Sequence, residues 1–417
     1  MTLQSASLLG SAFPLPVSKG LPLDVQGISS VEFLRKNPNI FTSGFQFPTA
    51  LLLASAIKNN LSRMAEYCQE MSASLAPHVK TVMSPKIARM QIDSGAWALT
   101  VANYTQARIF LDQGFNRIII ANEIVNPTAI RSIALKNLDP NTEIIFYVDS
   151  QIGLDLIQSA ISTLPDARIH LLIEIGYMGG RCGIRELQDV SPLAQKIAGD
   201  SRLTLRGVSG FEGTIGGDGR AIERISAIQD FCHKIIEAAQ VVAPYIKTNN
   251  GIISAGGSAF FDVVAEEFKT HGNEFHSILR SGGYLAHDHG SYERLYPFAD
   301  APPSKRFSPA IEIWSQVISK PEKNVALLDL GKRDVGNDIE NPFPIKRFRG
   351  KIEPFTGSVK QLNDQHGYLT FPENDSIEVG DLVGLGISHP CTTFDKWKLI
   401  PLVDDDYTVV DLIETFF

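Results

Sequence analysis

The stretch APHVKTVMSPKIARMQIDSGAWALTV, residues 76–101, contains one complete strand–helix–strand unit. Its two ends, APHVKT (76–81) and AWALTV (96–101), are short apolar runs of strand length. Between them Ser84 stands as a candidate N-cap and Pro85 at the first helical position. Gly95 closes the helix where a residue after the last turn needs left-handed backbone. The pattern is repeated at YTQARIFLDQG (104–114), which closes on Gly114.

Further apolar runs follow at NRIIIAN (116–122), EIIFYVD (143–149), IHLLIEI (169–175), LRGVSGF (205–211), GIISAGG (251–257) and FHSILRSGG (275–283). With the first two they make eight, separated by amphipathic segments. Continuous apolar runs suit strands buried on both faces, as in a parallel sheet covered by helices. Eight strand–helix units is the closing number, so the expected fold is α/β, a (β/α)8 TIM barrel, ahead of an open doubly wound sheet. After PFADAPPSKRF (297–307), a Pro-rich polar junction, the texture changes. EIWSQVISK, NVALLDLG, GYLTF, DLVGLGIS, WKLIPLV and YTVVDLI are short and turn-separated, which predicts a C-terminal all-β domain. The expected blocks are residues 46–300 for the barrel and 301–417 for the β domain. Residues 1–45 have no clear period and are free to wrap onto either, the β domain being the expected one.

The 417 residues carry a net charge of −8 with no basic block, which argues against nucleic acid and anionic membrane as partners. Cys68, Cys182, Cys232 and Cys391 are scattered and do not resemble a disulfide framework. SASLLGSAFPLPVSKG, near the start, is broken by Gly and Pro, so no signal peptide is expected, and no apolar stretch reaches the ~20 residues of a spanning helix. The expectation is a soluble cytoplasmic protein.

Lys80 falls at the end of the first strand, where barrels build their active sites. A lysine pointing into that mouth is partly desolvated and inclined to the neutral amine that forms Schiff bases; an ordinary solvated lysine is the plainer reading. SAGGSAFFD places Ser254, Gly256, Gly257 and Ser258 before a helix, and RSGGY adds Arg280, Gly282, Gly283 and Tyr284 one loop later. Glycine amides and a helix N-terminus favour an anion, and barrels bind phosphate at these two loops. A lysine at strand 1 and a phosphate cradle at strands 7 and 8 suggest pyridoxal 5'-phosphate. His78 precedes Lys80 by two residues and is placed either near that cofactor or in the core. In SHPCTTFDKW (388–397), His389 and Cys391 lie two apart, and on an extended strand they would share a face. Imidazole and thiolate suit zinc, although two ligands are few. A rival pair is His287 and His289 in HDHG.

These motifs together resemble the fold-type III pyridoxal-phosphate enzymes with an alanine-racemase-like barrel. More narrowly, they are similar to the D-serine dehydratase (D-serine deaminase) and D-threonine aldolase family. PHVKT looks like its cofactor-lysine motif, YVDS and IEIGYMGGRCGIR its middle strands, SAGGS and LRSGGY its phosphate loops, QHGYL and SHPCTTFDKW its C-terminal domain. The likeness implies that Lys80 bears the cofactor, that Arg181 lies near the cofactor's phenolic oxygen, and that Arg280 faces the pyridine nitrogen. It also implies zinc on His389 and Cys391, near the Lys80 amine, and a homodimer. Three positions depart from the pattern: Phe211 in place of tyrosine, Gly176 in place of an acid, and Val82 in place of a histidine.

The function implied is a pyridoxal-phosphate- and zinc-dependent lyase, a dehydratase turning D-serine or a related D-3-hydroxy amino acid into a 2-keto acid and ammonia. D-threonine aldolase-type retro-aldol cleavage and amino-acid racemisation are the alternatives. A non-catalytic cofactor-binding protein is less favoured, because such chains generally have the barrel alone.

Overall fold

The computed structural model describes residues 14–15, 18–248, 250–299, 301–373 and 375–417. Residues 1–13, 16 and 17 of the N-terminal segment lie outside it, as does residue 300 of the junction. The chain divides into two compact units, one of residues 64–80 and 91–282, the other of residues 1–63, 81–90 and 283–417. This is not the division into consecutive blocks that the sequence suggests.

The first unit is the barrel. Eight parallel strands run in the order Ser74–Leu75, His276–Leu279, Ile252–Ala255, Leu203–Gly210, Ile169–Ile175, Glu143–Val148, Arg117–Glu123 and Leu99–Val101. The two edges of the sheet meet where His78 bridges Thr100. There the Trp97 amide donates to the Leu75 carbonyl at 2.7 Å and the Thr100 hydroxyl to the Ala76 carbonyl at 2.7 Å. Ala76, Ala98, Ile119, Ile145, Tyr147, Leu172, Ile252 and Ile278 form one cluster. Neighbours such as Ile118, Ile144 and Phe146 are equally buried. Strand side chains alternate between faces, so both faces of the sheet are covered, which is why the runs are apolar throughout.

The local signals hold with two exceptions. Gly95 and Gly114 have φ of +100° and +81° after their helices, and Asn103 caps the helix Tyr104–Asp112 through the Gln106 amide. Pro85 does open its helix, but the hydroxyl of Ser84 has no hydrogen-bond partner and so does not cap it. The first strand also lies before the run expected to form it, at Ser74–Leu75 and not 76–81. It ends at Leu75, and Val79–Thr81 is a single 3-10 turn, so Lys80 sits on a turn beyond the strand.

The second unit is built on a ten-stranded sheet. Its main path is Ile352–Pro354, Phe343–Phe348, Leu382–Gly386, Ile311–Glu322, Thr49–Leu53, Leu399–Val403 and Val409–Glu414, with Val325–Leu328, Gly367–Thr370 and Ser358–Leu362 branching from Ile311–Glu322. Thr49–Leu53 pairs antiparallel with Ile311–Glu322 and parallel with Leu399–Val403. Leu15, Leu21, Val25, Phe33, Ile40 and Phe45 share one core with Trp314, Leu399 and Tyr407 of this sheet. Among the described residues no helix is long and apolar enough to cross a membrane.

Candidate active site

Within the barrel unit the chemistry gathers at the C-terminal ends of the strands. Lys80 is exposed on its turn, so the expected desolvation is not seen there. Two residues earlier, His78 is partly buried and its Nδ1 is enclosed with no hydrogen-bond partner. Burial, then the positive charges of Lys80, Arg280 and Arg181, hold its imidazole well below the usual histidine range. His78 is therefore a neutral ring with three cations about it. Gly282 is built against it: a Cβ there would collide with the His78 carbonyl oxygen.

Arg280 is buried. One guanidinium nitrogen donates to the hydroxyls of Ser209 (2.9 Å) and Ser254 (2.6 Å), the other to the Gly210 carbonyl (2.6 Å). The Ser209 hydroxyl donates in turn to the Tyr147 hydroxyl at 2.8 Å. Ser254 thus belongs to the arginine's support rather than to a phosphate loop. Gly256 and Gly257 also differ from expectation. Their amides donate to the two carboxylate oxygens of buried Glu212, at 3.1 and 2.6 Å, and so are already engaged by an anion of the protein itself. Gly256 needs glycine for its φ of +87°; at Gly257 a Cβ would stand 2.8 Å from the Phe211 ring. Ser258 follows them, half-buried, before the helix Phe261–His271.

Phe211, one of the departures, is a platform for Arg181, whose guanidinium carbon lies 4.5 Å from the ring centroid. The loop that carries Arg181 is shaped by Arg185, which donates to the carbonyls of Cys182 (2.8 Å) and Gly183 (2.6 Å). The Arg185 guanidinium fills the space where a side chain at Gly176 would project, so no acid fits at that position. Glu123, Glu174 and Cys182 bring their ligand atoms within 4.8 Å of one another. Burial, then the facing Glu123 carboxylate, pushes the Glu174 carboxyl up to about 9. Glu174 is a proton holder at neutral pH, among fixed positive charges.

The other unit holds the second group of candidates. His389 and Cys391 are not on an extended strand. The strand Leu382–Gly386 ends before them, Pro390 is helical at φ −61° and ψ −41°, and Cys391 opens the short helix Cys391–Phe394. Their side chains nevertheless meet, because the chain turns at Pro390. The hydrogen bond to Cys391 raises the His389 imidazole to about 9, with Asp338 contributing in the same direction. The imidazole Nδ1 lies 2.6 Å from Asp338 Oδ2, which leaves Nε2 as the remaining nitrogen. Thr392 donates to the other Asp338 oxygen at 2.7 Å, and Thr81 Oγ1 lies 3.3 Å from Cys391 Sγ.

Of the rival histidines, His287 Nε2 is 2.5 Å from Glu293, and Asp288 accepts the amides of Gly290 and Tyr292. Among the described residues neither this pair nor His389 and Cys391 joins a three-ligand cluster. Gly283 and Tyr284 belong to this unit, and the buried Tyr284 ring packs 5.9 Å from that of Phe307.

Sequence reading missed Glu123, Glu174, Glu212, Ser209 and Asp338. Glu174 had a signal, an acid inside the apolar run IHLLIEI. Asp338 had none, since it reaches His389 from 51 positions away in the chain.

Two family descriptions match this chain. "Alanine racemase, N-terminal domain" covers residues 53–263, and "Putative serine dehydratase domain" covers residues 310–403. The chain is 25% identical over 369 residues to D-threonine aldolase of Arthrobacter sp, covering 86% of this chain and 89% of that one. It is 22% identical over 374 residues to 3-hydroxy-D-aspartate aldolase of Paracoccus denitrificans, with the same coverage, 86% and 89%. Among solved structures, D-threonine aldolase from Filomicrobium marinum has a similar fold, with TM-score 0.75, 22% identity, and coverage of 90% of this chain and 96% of that one. D-threo-3-hydroxyaspartate dehydratase from Delftia sp. HT23 does too, with TM-score 0.70, 19% identity, and coverage of 89% and 97%. With just over half of its 417 residues matched by the first description, the chain belongs to the alanine racemase N-terminal domain family, as a fold-type III pyridoxal-phosphate enzyme.

Proposed function

We propose that this protein is a lyase that cleaves a D-3-hydroxy amino acid by the retro-aldol route, releasing glycine and an aldehyde. The cofactor in this reading is carried by Lys80, Arg181 and Arg280, whose charges reach the enclosed imidazole of His78 and, after burial, help hold it well below the usual histidine range. A phosphorylated pyridine aldehyde suits that set. The lysine offers an amine, His78 a flat ring with an unpaired enclosed nitrogen, and the arginines positive charge. The phosphate does not suit Gly256 and Gly257, whose amides serve Glu212; Ser258 and Gly282 are the remaining candidates in this unit.

When bound, pyridoxal phosphate supplies a sink for the electron pair released at the substrate's α-carbon. Lys80 would hold it and, once freed by substrate, accept or return a proton at its Nζ. Arg280, fixed by three hydrogen bonds, keeps its charge in place without reorganising. Glu174, its carboxyl raised by burial and by the facing Glu123, keeps its proton under the same conditions.

The donor set at His389 suits zinc. An imidazole held by a carboxylate on Nδ1, with a thiol in reach, is the arrangement that orients a zinc-binding histidine. Zinc on His389 and Cys391 would supply Lewis-acid chemistry.

Cleavage is preferred to elimination because the curated relatives matched over most of their length are aldolases by name. A second reading, dehydration to a keto acid and ammonia, is favoured by the His389–Cys391 pair and by the serine dehydratase description that covers it. The first experiment is the visible absorbance of protein incubated with pyridoxal phosphate. Wild type should show the band of a lysine-bound cofactor and Lys80→Ala should lose it. An unchanged band in Lys80→Ala would remove Lys80 from this role.

A further inference from the structure

We propose that His233, Glu267 and His271 form a separate site for a divalent transition metal of the zinc class on the outer helices of the barrel unit. His233 lies on the helix Ile222–Val242, and Glu267 and His271 lie one turn apart on Phe261–His271. Their ligand atoms all lie within 4.8 Å of one another. Glu267 Oε2 is the centre of the group, 2.8 Å from His233 Nε2 and 3.7 Å from His271 Nε2. The two imidazoles stand nearly perpendicular, at 85°, with centroids 5.3 Å apart.

Three features separate this group from an ordinary surface hydrogen bond. Glu267 is only 7% exposed, and its other oxygen accepts from Gln229 Nε2 at 2.8 Å, so the carboxylate is already oriented. That is the support a metal-binding carboxylate needs from its surroundings. One imidazole suffices to satisfy Oε2. His271 is too far at 3.7 Å to hydrogen-bond there, yet it faces the same oxygen. Tetrahedral zinc with bonds of about 2.0–2.1 Å places its ligands about 3.4 Å apart. The present separations of 2.8 and 3.7 Å lie on either side of that spacing, so small side-chain rotations bring both imidazoles onto one ion. The histidine side chains are 46% and 54% exposed, so an ion can enter and water can complete its coordination.

Gln229 and His233 are four residues apart on one helix, Glu267 and His271 four apart on the next. A bound ion would cross-link the two helices and stabilise the folded state by mass action. The site is independent of the proposed reaction and of His389 and Cys391.

The test is metal content and zinc response of the full-length, cofactor-loaded protein. After chelation and re-addition of zinc, wild type should hold one equivalent more per chain than His233→Ala or His271→Ala. Both positions are exposed, so both variants should fold, with circular dichroism and zinc-free unfolding temperature like wild type. Zinc should raise the unfolding temperature of wild type more than that of either variant. Gln229→Ala should keep the site but weaken its zinc affinity by about tenfold. Loading with cobalt separates the sites: the absorbance lost in the His271 variant should lack the thiolate charge-transfer band expected of a Cys391 site. Equal zinc content and equal zinc-induced shift in wild type and in the double variant of His233 and His271 would overturn the proposal.

Discussion

The imidazole Nδ1 of His389 lies 2.6 Å from the Asp338 carboxylate, and Thr392 fixes the other oxygen of that carboxylate at 2.7 Å. Burial works against the charged form of Asp338, but these hydrogen bonds more than offset it and hold the carboxyl below its usual range. Asp338 thus stays ionised and selects which nitrogen of His389 is left to bind. If His389 and Cys391 hold zinc, Asp338→Ala should weaken zinc binding by about 10–100-fold while leaving both ligands present. Titration of the chelated protein with zinc, monitored by competition with a coloured chelator, measures this. Equal affinity in the variant would show that Asp338 does not position a metal ligand.

The buried carboxyl pair predicts a pH dependence of stability. Glu174 keeps its proton in the folded state to about pH 9, whereas the unfolded chain releases it near the ordinary value of 4.5. Between those values the folded state binds the extra proton, so stability falls as pH rises and levels off above the window. The contribution is at most about 1.4 kcal/mol per pH unit. Glu174→Gln removes it. Urea unfolding from about pH 5 to about pH 9 should give a flatter profile for the variant than for wild type. Parallel profiles would mean that Glu174 is not a proton holder.

Gly282 is set against the carbonyl oxygen of His78, a backbone atom that has little room to move. Gly282→Ala should cost about 1–3 kcal/mol of stability and displace the segment that carries Lys80, weakening cofactor binding. Gly199, with nothing within 4 Å of an added Cβ, is the matched control and should tolerate alanine. Fluorescence titration with pyridoxal phosphate compares the three proteins. An unaffected Gly282→Ala would contradict the close contact.

Seven of the eight parallel strands were legible because each is largely apolar on both faces, and Gly95 and Gly114 marked two helix ends; the first strand, Ser74–Leu75, fell just before the run read for it. The β unit was harder. Phe343–Phe348, Ile352–Pro354 and Ser358–Leu362 have several exposed or half-buried positions and little alternation. Thr49–Leu53 is an apolar run whose partners lie more than two hundred residues away, which no local pattern announces. The site divides in the same way. Lys80, His78 and the Gly loops carry local motifs, but Glu212 on the Gly256 and Gly257 amides is a pairing across 44 and 45 positions. His389 and Cys391 do meet, through a turn at Pro390 rather than along a strand, because i and i+2 also approach each other where the chain enters a helix.

The central claim, retro-aldol cleavage of a D-3-hydroxy amino acid, is tested most directly by product analysis with D-threonine and 3-hydroxy-D-aspartate. The assay uses protein loaded with pyridoxal phosphate and zinc, with the L-isomers as controls. The account predicts glycine and an aldehyde in equal amounts from a D-isomer, lost on chelation and restored by zinc. Ammonia with a keto acid, and no glycine, would contradict cleavage and establish the dehydratase reading. No product from any D-3-hydroxy amino acid, D-serine included, would contradict both.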